Sequence, residues 1–207
     1  MKEFFTSDTH INHKNIIPYT RPQFESVEEM NDAIVHLWNA VIQPGDTVYH
    51  LGDFAMGQKV LWPEHRALLN GNIHLIRGNH DTYRDKDSDE ERDAKLLACG
   101  FASVQDELYV TINGVTYWCH HLPTDGSDHS ERGYIRPPAT RPYDIALCGH
   151  VHDMWRVAAD GTVNVGIDAW LGEPITPERV RGAVLEWWNL GCKQLPPFKP
   201  NASPGAF

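Results

Sequence analysis

The sequence has little cysteine, and what it has is not clustered. Cys99, Cys119, Cys148 and Cys192 are scattered over 207 residues with no CxxC pair. That spacing excludes a dense disulfide framework and a thiolate metal cage, and it leaves four reduced structural thiols as the expectation. No stretch approaches the roughly 18 consecutive apolar residues of a membrane span. The opening Met1-Lys2-Glu3-Phe4-Phe5 also lacks the apolar core of a signal peptide, so the expected location is cytoplasmic, with no membrane partner. Basic charge is in deficit as well: 18 Lys and Arg against 28 Asp and Glu give a formal charge of -10. This argues against a broad footprint for duplex nucleic acid, but a small anion held locally is compatible with it. A low-complexity linker is missing too, so one domain over residues 1–194 is expected, with the proline-rich residues 195–207 as an extended arm.

What is present alternates between two periodicities. Residues 2–7, 46–51 and 73–77 are short apolar runs that read as strands. Between the first two, Val27, Met30, Ile34, Leu37, Trp38 and Val41 recur at helical spacing behind a Ser26/Glu29 capping signature, and Pro44-Gly45 ends the run. A short helix is expected over residues 63–70, and a charged one behind Ser88 and Glu91, running to Cys99. Asn113-Gly114 marks a hairpin between residues 107–112 and 115–119, residues 144–148 form another strand, and a second hairpin is expected around Asp160-Gly161. Thr176-Pro177 opens a last helix that closes near Gly191. Strands alternating with helices imply an α/β fold with a largely parallel sheet, whose site gathers beyond the strands' C-terminal edge.

Five of these strands end in residues with metal-binding capacity: Asp8 and His10, Asp53, Asn79, His120 or His121, and His150 and His152. Asp8-x-His10 and His150-x-His152 are i,i+2 pairs, which in extended backbone point to one side. The donors mix carboxylate, imidazole and amide without thiolate, which favours manganese, iron or zinc, with manganese first and nickel as a further alternative. Seven donors exceed the needs of one tetrahedral ion, so two divalent ions are expected. In Gly78-Asn79-His80-Asp81, an imidazole beside a carboxylate adds proton-handling capacity.

Asp8-x-His10, Gly52-Asp53, Gly78-Asn79-His80-Asp81, His121 before Leu122-Pro123, and Gly149-His150-x-His152 resemble, in order, the five signature blocks of the calcineurin-like metallophosphoesterase superfamily. Residues 5–10 and 48–53 are most similar to the small bacterial and phage-associated members. The resemblance implies a four-layer sandwich of two mixed sheets flanked by helices. It implies Asp8, His10 and His152 on a first metal, Asn79, His121 and His150 on a second, and Asp53 bridging them. It also implies His80 near the leaving group, oriented by Asp81, and it selects His121 over His120 through the proline two residues on. The implied activity is hydrolysis of a small phosphoester substrate by a metal-bridging hydroxide. Two divalent ions, Asp8, Asp53 and that hydroxide sum to +1, which a phosphodiester at -1 would neutralise, so a diester is favoured over a monoester.

Two other readings stand beside this one: a nuclease acting on single-stranded ends, and a non-catalytic protein-binding scaffold on the same fold. A nuclease would use a basic track, for which Arg132, Arg136 and Arg141 are the candidates. Candidate substrate contacts are His13, Arg77, His120, Arg132 and Arg136, each with a plainer reading as a loop or ion-pair residue. His50 and His74, inside strands, are expected to be satisfied core histidines.

Overall fold

A computed structural model describes residues 1–81, 88–124 and 135–198 of the chain. The chain enters through β1 (Glu3–Thr6), turns through the short α1 (Ile17–Thr20) and runs along α2 (Val27–Val41). The Ser26 side chain accepts the Glu29 N–H at 3.1 Å and starts α2 where the capping signature predicts. Met30, Ile34 and Trp38, four residues apart, form its buried stripe. It packs on one face of a sheet built from β1, β2 (Thr47–His50), β3 (Asn72–Ile76) and β4 (Ser103–Gln105), all parallel. Phe4, Val48, Ile73 and Leu75 face α2, α3 (Trp62–Ala67) and α4 (Asp89–Ala98), while Phe5, Tyr49 and Ile76 face the opposite way. Alternation along each strand therefore feeds two cores from one sheet.

The second core lies between this sheet and another of β5 (Glu107–Ile112), β6 (Val115–His120), β7 (Ile145–Cys148) and β8 (Val163–Asn164). Its β5–β6 pair is antiparallel and the rest parallel, so the sheet is mixed; an antiparallel Phe5–Ile175 bridge does the same for the first. Asn113 and Gly114 both have positive φ, 51° and 78°, the turn that matches strand twist in a two-residue hairpin. α5 (Pro177–Asn189) touches β1 and β8, the edge strands of the two sheets, and closes that side of the sandwich.

The hairpin expected around Asp160-Gly161 forms through one antiparallel Val157–Val163 bridge flanked by bonds from Ala158 N–H to the Thr162 carbonyl and from Asn164 N–H to the Arg156 carbonyl, and Val163 and Asn164 also pair with β7 in parallel. Two expectations change. β4 was not anticipated, because three half-buried residues carry too little pattern. The boundary at residue 195 also falls inside the fold: Leu195 is buried and bridges Val157, and Phe198 lies under Arg156. The rest of the expected arm, residues 199–207, lies outside the described residues.

Parallel register is what assembles the site. Thr6 pairs with His50 and Leu75 lies beside His50, so the segments after β1, β2 and β3 leave the sheet along one edge. Cys119 pairs with Leu147 and Leu147 with Val163, which sends the ends of β6, β7 and β8 out together. A hydrogen bond from Ile167 N–H to the Ser7 carbonyl, 3.1 Å, ties the two bundles of loops to each other.

His50, fully buried at the end of β2, is the satisfied core histidine expected. Its Nδ1 accepts the Gly52 N–H at 3.2 Å, so its Nε2–H donates to Thr9 Oγ1 at 3.0 Å, and that hydroxyl donates to the Phe54 carbonyl. Only the neutral ring fits this chain, and burial lowers its pKa from 6.5 to about 4. The unfolded chain therefore binds the extra proton first, and stability present above pH 6.5 is lost as pH falls toward 4. Urea titrations of metal-free protein should lose about 2 kcal/mol between pH 7 and pH 5 through His50. That part should vanish in His50→Gln; an unchanged slope in the variant refutes it.

Candidate metal centre

Five of the seven expected donors sit in left-handed backbone: φ is 57° at Asp8, 47° at His10, 56° at Asp53, 71° at His150 and 47° at His152. For a side chain other than glycine this costs on the order of 1–3 kcal/mol per residue and persists only where the surroundings enforce it. The finding corrects the extended reading of Asp8-x-His10 and His150-x-His152. Each pair curls, and its members converge because the chain coils rather than because alternate residues share a strand face. The enforcing contacts are visible. Buried Arg21 donates to the carbonyls of Asp8 and Thr9. The N–H groups of Asp8 and His10 donate to the carbonyls of Gly52 and Asp53 at 2.9 and 3.0 Å, and His150 N–H donates to Asp8 Oδ2 at 2.9 Å.

The donors fall into two groups, Asp8 with His10 and His152, and Asp53 with His121 and His150; in each, ligand atoms lie within 4.8 Å of one another. Asn79 Oδ1 joins the second group, 3.1 Å from His121 Nε2. Asp53 Oδ2 stands between the groups, 3.5 Å from His10 Nε2 and 3.5 Å from His121 Nε2. Burial, then the charges of Asp81 and Asp8, pushes the Asp53 carboxyl well above its ordinary pKa, so its ionised form calls for a cation.

The residues fit such an ion. His10 Nε2 and Asp8 Oδ1 are buried 3.9 Å apart, and neither has a hydrogen-bond partner among the described residues. Two bonds of ~2.0–2.1 Å at a tetrahedral angle place ligand atoms ~3.4 Å apart, close to the 3.5 to 3.9 Å separations found here. Burial, then the neighbouring His152 and Arg21, holds the His10 pKa well below its usual value and keeps the ring in its neutral, ligating form.

The other ring nitrogens are used to aim the donors. His121 Nδ1 donates to the Leu51 carbonyl at 2.7 Å, which frees Nε2 as a lone pair. His152 Nδ1 lies 2.8 Å from Asp168 Oδ2, and Asp168 is held by Arg21 through Nε at 2.7 Å and Nη2 at 3.1 Å. Burial alone would raise the Asp168 pKa; Arg21 and His152 outweigh it and hold the carboxyl below the usual range. His152 is raised in return, its bond to Asp168 prevailing over burial. Arg21 and Asp168 were missed in the sequence. The available signal for Asp168 was Gly166-Ile167-Asp168 beyond the short strand-like segment Val163-Asn164-Val165, a carboxylate past a strand end like Asp8 and Asp53.

The oxygens of buried Asp81 accept the backbone N–H groups of Asp53 at 2.7 Å, Gly78 at 2.8 Å and Phe54 at 3.0 Å, so it clasps two loops together. Gly78 permits this closeness: a Cβ there would lie 2.2 Å from Asp53 Oδ1. His80 reaches the centre directly, with its N–H on Asp53 Oδ1 at 2.8 Å and its Nε2 3.9 Å from Asp53 Oδ2.

Of the expected substrate contacts, His13 lies beside His10, with their Nδ1 atoms 3.2 Å apart. Arg77 instead pairs with Asp93 and Asp106, the loop-holding role. His120 turns to the outer face of its sheet, near Trp118, where its Nδ1 accepts the Leu122 N–H at 3.0 Å. Burial lowers its pKa to about 4. His121, one residue on, takes the ligand side. Arg136 is exposed next to Ile135, which packs on Trp118 and Tyr143, and Arg141 lies over the Tyr143 ring. Arg132 lies outside the described residues.

Comparison with known proteins bears on this arrangement. The model of the calcineurin-like phosphoesterase superfamily domain matches residues 1–170. Gene 66 protein of Mycobacterium phage L5 is 29% identical over 187 residues, covering 81% of this chain and 86% of that protein. Uncharacterized protein MJ1445 of Methanocaldococcus jannaschii is 45% identical over 87 residues, 41% of this chain and 49% of that protein. In that match the alignment spans about half the relative's length. The crystal structure of the protein of unknown function AQ665 from Aquifex aeolicus has the same fold, with a TM-score of 0.63, 25% identity, and coverage of 88% of this chain and 98% of that one.

If Asp168 aims His152, Asp168→Asn should weaken metal binding at the Asp8–His10–His152 group by about 10- to 100-fold. Competition against a chelator should register one weakened and one unaltered equivalent; two unaltered equivalents would remove Asp168 from the site.

Proposed function

Because the chain belongs to the calcineurin-like phosphoesterase superfamily, whose enzymes are metal-dependent phosphoester hydrolases, we propose that it hydrolyses a small phosphodiester at a dinuclear metal centre. The observation that carries this reading is the position of Asp53 Oδ2, 3.5 Å from a donor nitrogen of each ligand group. Asp8, His10 and His152 would hold one ion, and Asn79, His121 and His150 the other, with Asp53 shared. When bound, two such ions supply Lewis acidity and lower the pKa of an attacking water toward neutrality.

The residues of the chain do the remainder. His80, partly exposed and adjacent to Asp53, is positioned to donate a proton or a hydrogen bond to the leaving oxygen. Asp81 acts as a positioning residue by clasping the loops that carry Asp53 and Asn79. Arg21 and Asp168 fix the first ligand group from behind. Two divalent ions against Asp8 and Asp53 leave local positive charge in a chain whose formal charge is -10. That contrast suits a small anionic ester rather than a long polyanion, and a monoester is the second choice. Manganese is favoured, with iron, zinc and nickel as alternatives, by the mixed oxygen and nitrogen donors. All seven donors and His80 are present, which favours an enzyme over a binding scaffold.

Asp53→Asn should abolish hydrolysis of an aryl phosphodiester, as should exhaustive chelation of the wild type, with activity restored by manganese. Undiminished turnover in either case overturns the reading. His80→Ala should retain two metal equivalents while kcat falls by about 10²- to 10³-fold, most severely with poor leaving groups; loss of metal would instead make His80 part of the metal cage.

A further inference from the structure

We infer that His13 is a positioning residue for the metal ligand His10: it is the acceptor that fixes the His10 ring in the tautomer whose Nε2 is free to bind a cation between Asp8 and Asp53. The inference rests on the dinuclear reading above and adds a residue to it. His10 Nε2 points between Asp8 Oδ1 and Asp53 Oδ2, at 3.9 and 3.5 Å. For that nitrogen to offer a lone pair, the ring proton must sit on Nδ1, and an Nδ1–H buried there requires an acceptor. His13 Nδ1 is 3.2 Å away. His13 must then present its own lone pair at Nδ1 and carry its proton on Nε2.

The centre uses three acceptors of different kinds for this one task. His121 Nδ1 is answered by the Leu51 carbonyl, His152 Nδ1 by the Asp168 carboxylate and His10 Nδ1 by an imidazole. The short segment between the two rings is built to hold them in register. His13 N–H donates to the His10 carbonyl at 3.1 Å, closing the turn. Asn12, at φ 65°, donates its N–H to Asn31 Oδ1 on α2 at 2.8 Å. Ile16 N–H donates to the His13 carbonyl at 3.2 Å. The His10 and His13 rings lie 5.0 Å apart between centroids, and His13 is only partly covered.

The test compares His13→Phe, which keeps a ring but removes the acceptor, with His13→Asn, whose Oδ1 can take the place of Nδ1. Manganese binding to metal-stripped protein is measured by competition against a chelator, with urea unfolding of the metal-free variants as a control for the fold. The expected result is one equivalent weakened about 10- to 100-fold in His13→Phe and restored to within about threefold of wild type in His13→Asn. Wild-type affinity in His13→Phe, even with a raised KM, makes His13 a substrate contact and overturns the inference. Equal weakening in both variants overturns it too. If wild-type protein itself binds no divalent ion, the dinuclear reading fails, a result distinct from either outcome.

Discussion

Asp53 carries a carboxylate into a place where water cannot solvate it and where Asp8 and Asp81 are close enough to raise its pKa further. Much of the surrounding architecture answers that one electrostatic constraint. His10 and His121 both present an Nε2 lone pair toward the same oxygen, one from each half of the sandwich, so three donor atoms converge where only a cation satisfies them together. The carboxylate thus couples the two sheets through a demand for positive charge that neither could satisfy alone. The other oxygen is spent on the His80 N–H, which brings the Gly78–Asp81 loop to the same point.

Meeting that demand requires donor atoms fixed to within a few tenths of an ångström, and the loops reach this through strain rather than regular structure. Left-handed backbone at Asp8, His10, Asp53, His150 and His152 would relax if it were free to. Buried polar contacts prevent it: Arg21 on two carbonyls, Asp81 on three N–H groups, Asp8 Oδ2 on Ser7 Oγ and the His150 N–H. Gly149 permits the last of these, since a Cβ there would lie 1.8 Å from Ser7 Oγ. The same network explains why residues beyond the donors matter. A metal ligand is defined by which nitrogen is free, and that is decided at the opposite side of each ring.

The division of charge follows from this. The chain is acidic overall, and its acidity within the site is consumed by a few buried carboxylates that a pair of divalent ions would more than balance. Arg77 illustrates the complementary rule. The Arg77 guanidinium is drawn to Asp93 on α4 and Asp106 after β4, and these ion pairs fasten the β3 exit to both.

Much of this was legible from residue order. The short apolar runs that became β1 and β2, the stripe Met30, Ile34 and Trp38, and the Asn113-Gly114 turn are local signals, and the elements formed there because hydrophobic patterning and turn chemistry act over a few residues. The seven candidate donors were legible for the same reason: each stands just past an apolar run. The sequence by itself thus determined the α/β class, the family resemblance and which residues are candidate donors. Tertiary structure alone decided that Asp81 clasps backbone, and that Arg21 and Asp168 brace His152 from 147 residues apart in sequence. It also decided that the i,i+2 pairs coil. These are outcomes of burial and long-range hydrogen bonding, which depend on what lies across the sandwich, and no window of local sequence contains that information.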